Sequence, residues 1–178
     1  MINVKSLPDG INALGHFWRI DTCYKLWIDY PERIQRVQEK DYEGYAELFV
    51  EDVPIPCVEV IEALNAFYYT PSEIPRNSGS GEELMSYEYD MDYIYAGFMQ
   101  AYGIDIVDTP LHWHKFLALL VALPEDTMLS KIIGYRAYKG SKKTNPDHDE
   151  YVKRKQAWSL PTRWTKEELE AIEHFNSL

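Results

Sequence analysis

The stretch "LPEDTMLSKIIGYR", Leu123–Arg136, has the pattern of a helix that carries its own start signal. Pro124 can occupy the first helical position, because the N–H that proline lacks has no intrahelical partner there. Glu125 and Asp126 place negative charge in the first turn, where the helix dipole favours it. Nothing in the stretch suggests chemistry, so we expect a structural helix. Apolar spacings of three and four predict its buried face, which consists of Met128, Leu129, Ile132, Ile133 and Tyr135.

Two further helices are predicted immediately before this stretch. In "DTPLHWHKFLALLVA", residues 108–122, Thr109 has the position of an N-cap and Pro110 that of the first helical residue. Apolar residues surround the axis of this segment almost completely, which is typical of a central helix. In "YEYDMDYIYAGFMQAYGID", residues 87–105, Gly103 is placed to end the helix in a left-handed turn. The apolar face of that helix consists of Met91, Ile94, Tyr95, Phe98, Met99 and Tyr102.

The first third of the chain predicts a hairpin and several shorter helices. Within residues 1–20 the turn signals "LPDG" and "ALG" alternate with β-compatible pieces, so this segment can form a short β-hairpin. A helix capped by Asp21 or Thr22 should run to about Gln38, and Pro31 should kink it or divide it in two. "DYEGYAELFV" and "VPIPCVEVIEALNAFYY" predict two more helices. The second has an apolar face formed by Val58, Ile61, Leu64, Phe67 and Tyr68.

The remaining segments complete the expected domain organisation. Residues 71–86 are rich in proline, serine and glycine, which predicts a flexible loop. A helix is expected over about residues 147–158, and "TKEE" has the spacing of a capping box for an appended C-terminal helix within residues 162–178. The fold class predicted for residues 1–161 is therefore mostly α: a multi-helix bundle of six to eight helices with a short N-terminal β-hairpin.

Charge is distributed unevenly along the chain, whose net charge is −11. Residues 1–130 carry 8 basic and 22 acidic side chains, whereas residues 131–166 carry 10 basic and 3 acidic ones. An acidic body repels phosphate, so the composition disfavours general nucleic-acid binding. The basic segment can still contact an acidic partner or a neighbouring copy of the chain.

The sequence also disfavours several classes of protein. No apolar run approaches the ~20 residues that a membrane span needs. The N-terminus "MINVKSLPDG" lacks the basic start and apolar block of a secretory signal. Cys23 and Cys57 are the two cysteines, and we expect two thiols in a reducing compartment, with a disulfide as the alternative.

Motifs for catalysis or metal binding are weak. His112 and His114 would point about 200° apart on a helix, so that one zinc ion could not bind both. "DHDE", residues 147–150, lacks the twelve-residue calcium loop with its central glycine, and the chain has no G-x-S-x-G nucleophile elbow. We therefore expect no metal, no cofactor and no enzymatic activity.

Tyrosines and basic residues indicate a partner-binding surface. "YEYDMDYIYAGF" alternates acids with rings, and tyrosine combines an apolar body with a polar tip, as protein contacts often do. The alternative is that these rings fill an edge of the core. The basic segment interleaves lysines with aromatic rings, which could stack on single-stranded nucleic acid, but we favour a solvated face against the acidic body. The predicted contact residues are Tyr87, Tyr89, Tyr93, Tyr95, Lys142, Lys143, Lys153, Arg154 and Lys155.

Several stretches resemble the bacteriophage gene-product-fifteen family. Its members are small proteins from the tail-morphogenesis region of tailed phages and prophages of low-GC Gram-positive bacteria. The resemblance rests on "DYIYAGFMQAYGIDI", "LHWHKFLALLVALPEDTMLSKIIGYR", "IDTCYKLWIDY" and "DEYVKRKQAWSLP", and spans roughly residues 16–161. The chain departs from the family pattern at His114, where a second tryptophan is expected, and in the "NSGSG" loop.

The resemblance implies a function in phage assembly. It points to a tail assembly chaperone that binds the tape-measure protein in the host bacterial cytoplasm and aids tail-tube assembly. A companion tail assembly chaperone, a tail-tube protein or a second copy of the chain would be further partners. The alternatives are a minor structural tail component, or a phage protein that engages or is sensed by a host defence factor. The family provides no catalytic residues to carry over.

Overall fold

A computed structural model describes residues 6–69 and 82–161, together with Phe175. This part of the chain forms one two-stranded hairpin followed by eight helices, so the prediction of a mostly α fold with a short N-terminal hairpin is confirmed. The predicted appended helix lies outside the described residues except for Phe175, and so does most of the predicted 71–86 loop. The elements are β1 (Gly10–Ala13), β2 (His16–Arg19), α1 (Tyr24–Trp27), α2 (Tyr30–Gln38), α3 (Glu43–Ala46), α4 (Val58–Tyr68), α5 (Tyr87–Tyr102), α6 (Trp113–Val121), α7 (Met128–Arg136) and α8 (His148–Ala157).

The hairpin turns through two residues with left-handed backbone. Leu14 has φ +56° and Gly15 φ +69°, which matches the type I′ turn that two-residue hairpins favour. Ile11 and Ala13 of β1 are buried, so one face of the hairpin packs on the core. Ile20, just after β2, pairs with Phe49 and continues this contact.

Two local signals had the predicted effect on the helices. The chain leaves helical geometry between α1 and α2, and Pro31 lies in the first turn of α2, as a residue that divides one helix into two should. Gly103 ends α5 with φ +63°, and its N–H donates to the carbonyl of Met99. The left-handed stop predicted at Gly103 is therefore confirmed.

The predicted start of α6 was wrong. The helix begins at Trp113 with His112 as its N-cap, not at Thr109 and Pro110. The segment before it pairs with the chain around Cys23 instead, because the N–H of Trp113 donates to the carbonyl of Thr22 at 2.7 Å. A tertiary contact thus displaced a local start signal.

The predicted start of α7 was also wrong. Its N-cap is Thr127, whose side chain accepts from the N–H of Ser130, and Pro124 lies in the preceding turn. The hydroxyl of Thr127 also donates to the Pro124 carbonyl at 2.8 Å. Thr127 therefore accepts from a backbone N–H at the start of the helix and also donates to the preceding turn. It takes the N-cap position, and Pro124 stays outside the helix.

The core is largely aromatic. Trp27 and Trp113 are fully buried, and their indole N–H groups donate to the carbonyls of Asp21 and Tyr68, at 2.7 and 3.0 Å. Tyr24 stacks on Phe116 with ring centroids 4.4 Å apart. The hydroxyls of the buried tyrosines are also satisfied, so most of the aromatic surface is buried without leaving an unpaired polar tip. Those hydroxyl contacts are Tyr24 to Ile106, Tyr30 to Asn65 and Tyr45 to Pro54.

Some residues of the predicted buried faces are exposed. Leu129 and Ile132 of α7 are buried as predicted, but Met128 is exposed. In α4 Val60 is buried in place of Val58, and Met99 of α5 is exposed. Among the described residues, no helix is long and apolar enough to cross a membrane.

Candidate partner-binding surface

The four predicted tyrosines lie within the first nine residues of α5, but they do not share one face. Tyr87 packs inward, with its ring centroid 6.2 Å from those of Trp113 and Phe116, and burial raises its pKa. Tyr89 is exposed. Residues two positions apart on a helix point in nearly opposite directions, so a core position at Tyr87 places Tyr89 in solvent.

Tyr93 and Tyr95 are half-buried and contact different parts of the chain. The ring of Tyr93 meets Trp158 edge-on at 5.6 Å, next to the end of α8. The hydroxyl of Tyr95 donates to Asp105 Oδ2 at 3.3 Å, and the negative charge of Asp105 raises the pKa of Tyr95. Tyr89 is therefore the member of this set that is open to a partner.

The predicted basic residues lie on α8 and in the turn before it. Lys142 is 3.0 Å from Asp149, and Arg154 pairs with Glu150 and donates to the hydroxyl of Tyr135. These contacts use acids from the same segment and leave the side chains exposed.

The other three predicted basic residues differ in the hydrogen bonds and ion pairs that they form. Lys155 is half-buried and donates to the carbonyl of Tyr138 at 3.3 Å, with Glu82 3.6 Å away. Lys143 and Lys153 are exposed, and within the described residues neither forms an ion pair. These two lysines have the charges most available to another molecule.

Arg136 connects the tyrosine helix to the basic helix. Its guanidinium binds Asp90 of α5, its Nε donates to the carbonyl of Trp158 at 2.6 Å, and its Nη1 donates to that of Leu84 at 3.0 Å. Sequence reasoning missed this residue, because a single arginine in a basic segment gives no sign of burial. A groove of about 470 Å³ lies beside it, lined by Glu82, Glu83, Leu84, Arg136, Lys155, Ser159, Leu160 and Pro161.

The two histidines lie closer together than predicted. Since His112 precedes the helix, its ring centroid is 5.0 Å from that of His114, and the expected divergence was wrong. Among the described residues, three of their four ring nitrogens have partners: His112 Nδ1 accepts from the N–H of His114, and each Nε2 lies 2.8 Å from a backbone carbonyl. Burial lowers the pKa of both rings. In the described part of the chain, no group of three or more His, Cys, Asp or Glu side chains could hold a metal ion.

A second surface was not predicted from the sequence. The chain exposes Val53 and Ile55 between α3 and α4, at 45% and 81%, and Val58 at the start of α4, at 75%. Val50 at the start of this segment is also exposed, and so is Leu14 in the hairpin turn. The signal for Val53 and Ile55 was present in "VPIP", because prolines hold the chain extended and side chains two positions apart then point to the same side. We call Leu14, Val50, Val53, Ile55 and Val58 the aliphatic ridge.

Comparison with known proteins assigns a family. A family model described as "Bacteriophage Gp15 protein" matches residues 21–160. Comparisons with curated proteins and with solved structures give no significant match. The matched region contains every described helix and the predicted contact residues. The chain therefore belongs to the bacteriophage Gp15 protein family.

Proposed function

We propose that the protein is a non-catalytic tail assembly chaperone, which binds the tape-measure protein of its phage in the host bacterial cytoplasm and aids tail-tube assembly. Family membership supports the coarser statement that it is a phage structural or morphogenesis protein. The observation that carries the finer proposal is the exposed aliphatic ridge on an acidic helical domain. Such a surface can cover the apolar side of another chain.

The need of the client, the tape-measure protein, for a cover over its apolar surface agrees with this role. A tape-measure chain is long and presents amphipathic helices without a core of their own, so their apolar side must be covered until tube subunits assemble. An apolar surface on a folded partner can hold such a helix by side-chain contact. Several copies along one client would make weak contacts add up while each remains reversible.

Co-expression tests the proposal. The tape-measure gene of the same phage is expressed alone, with this protein, and with an unrelated acidic helical protein of similar size as the control. We expect this protein, and not the control, to raise the soluble yield of the tape-measure protein and to copurify with it. Unchanged solubility without copurification would contradict the proposal.

Analysis of purified particles separates the proposal from its alternative. A chaperone leaves when tube subunits replace it, whereas a minor tail component stays in the virion. Quantitative mass spectrometry should therefore find this protein in lysates of infected cells and far less of it, relative to the tube subunit, in purified particles. A fixed stoichiometry in the particle would assign the protein to the tail structure instead.

A further inference from the structure

The aliphatic ridge is held in place by a buried proline between two exposed side chains. Pro54 is buried, and its carbonyl accepts a hydrogen bond from the hydroxyl of Tyr45 at 3.0 Å. Val53 and Ile55 on either side of it are exposed. The hydrogen bond to Pro54 fixes the backbone beneath these two exposed side chains. Binding of a partner therefore costs little additional conformational entropy in this segment.

The prolines also indicate how a partner can bind. Neither Pro54 nor Pro56 has an N–H to donate, so this extended segment is a poor template for an added β-strand. Val58 is also exposed, and it lies in the first turn of α4. A partner must therefore contact the side chains, as an amphipathic helix does.

Leu14 adds an independent sign of function. It has left-handed backbone at φ +56°, in a turn position where asparagine is favoured, and its side chain is exposed. Its N–H donates to the carboxylate of Glu59, so the turn lies beside the start of α4. A strained residue that exposes an apolar side chain has no advantage for stability, and such strain is concentrated at binding sites.

The charges around the ridge define the partner. Glu51, Asp52, Glu59 and Glu62 are exposed within the same segment, which contains no lysine or arginine. Arg19 from β2 pairs with Glu51 at 3.2 Å and leaves the other three carboxylates in excess. We propose that the ridge docks an amphipathic helix whose aliphatic stripe is flanked by lysine or arginine. This inference takes the proposed client-binding role as its starting point and assigns it a surface.

Peptide binding to the full chain tests the assignment. The probe is a dye-labelled helical peptide of about 20 residues with a leucine stripe flanked by lysines, and its control has glutamates in place of the lysines. By fluorescence anisotropy we expect the lysine peptide to bind at least tenfold more tightly than the glutamate peptide, and to weaken as salt screens the carboxylates. Equal binding of both peptides would overturn the proposed partner chemistry.

Matched variants locate the binding surface. The double variant Val53→Ser/Ile55→Ser should weaken binding of the lysine peptide roughly tenfold or more, because two exposed aliphatic contacts are lost. Val107→Ser/Val121→Ser removes two exposed valines elsewhere and should leave the affinity unchanged. Equal affinities of the two double variants would overturn the assignment of the ridge.

Leu14→Asn provides a readout that a merely structural role would not give. Asparagine suits the left-handed turn, so this variant should unfold at a higher urea concentration than the natural chain and yet bind the lysine peptide more weakly. Unchanged peptide affinity would remove Leu14 from the surface. A reversible dimer in sedimentation that Val53→Ser/Ile55→Ser abolishes would assign the ridge to a second copy and overturn the helix proposal.

The peptide test and the co-expression test can fail separately. If the lysine peptide binds the ridge but the tape-measure protein stays insoluble, the proposed function fails and the docking surface remains. If the tape-measure protein copurifies equally with the natural chain and with Val53→Ser/Ile55→Ser, the function remains and the surface fails.

Discussion

Arg136 binds Asp90 through two parallel hydrogen bonds, Nη1 to Oδ2 at 2.6 Å and Nη2 to Oδ1 at 2.9 Å. The two side chains are 8% and 1% exposed, so the pair is buried. Asp90 also accepts from the N–H of Ser86 just before α5, and Arg136 donates to the carbonyl of Trp158 beyond α8. One ion pair thus joins α5, α7 and the end of α8.

Removing one member of this pair should be strongly destabilising. Asp90→Ala leaves a buried guanidinium without its counter-ion, which typically costs about 3–5 kcal/mol of unfolding free energy. Urea unfolding followed by circular dichroism measures the loss. Lys142→Ala, which breaks an exposed pair with Asp149, is the control and should change stability by less than about 1 kcal/mol. Similar losses in both variants would contradict a structural role for the buried pair.

Two glycines should respond to alanine with opposite signs. Gly103→Ala places a Cβ on backbone with φ +63° and should cost about 1 kcal/mol, although open space surrounds the position. Gly134→Ala lies inside α7, also in open space, and should stabilise by about 0.5–1 kcal/mol because alanine restricts the unfolded chain. Thermal unfolding of both variants checks the signs. A loss of stability in both would show that crowding, not backbone geometry, decides the effect.

Stability should fall as the pH drops below neutrality, partly through His114. Burial lowers the pKa of His114 in the folded chain, so below the unfolded value of about 6.5 the unfolded state binds more protons. The unfolding free energy is therefore lost as the pH falls through this range, and His114→Gln should reduce the loss between pH 7.5 and 5.5. Urea titrations at both pH values measure it. His16→Gln, at an exposed position in β2, is the control, and an equal effect of the two substitutions would contradict the assignment.

Substitutions at Tyr87 and Tyr89 should distinguish an effect on stability from an effect on partner binding. Tyr87→Ala removes a half-buried ring that packs against Trp113 and should cost about 2–3 kcal/mol, somewhat less than truncation of a fully buried aromatic residue. Tyr89→Ala removes an exposed ring and should leave the urea midpoint nearly unchanged. If the predicted tyrosine surface contacts the tape-measure protein, Tyr89→Ala should reduce copurification. Undiminished copurification would exclude Tyr89 from the contact.

Local signals predicted where one helix is divided and where another ends. Pro31 and Gly103 act through their own backbone geometry, so their effects could be anticipated without knowledge of the fold. The start of α6 could not, because it depends on the pairing of Trp113 with Thr22. The start of α7 was predicted wrongly because the cap at Thr127 prevailed over the start signal at Pro124.

The candidate surfaces were harder to predict than the helices. An alternation of acids and rings does not tell which ring meets Trp113 and which meets water, so Tyr87 and Tyr89 looked equivalent. Asp90 and Arg136 lie 46 positions apart, and each is of a residue type that is usually exposed to solvent. The exposure of Ile55 likewise depends on Pro54 being anchored by Tyr45.

The sequence by itself determined the helical fold class, the hairpin and the breaks at Pro31 and Gly103, because these depend on neighbours within one turn of chain. Only the tertiary structure decided that Asp90 and Arg136 are buried together and that Val53, Ile55 and Val58 are left in solvent. Burial is a property of the whole packed chain: a charged side chain can enter the core only where a distant partner compensates its lost hydration, and an aliphatic one stays outside where anchored backbone turns it away.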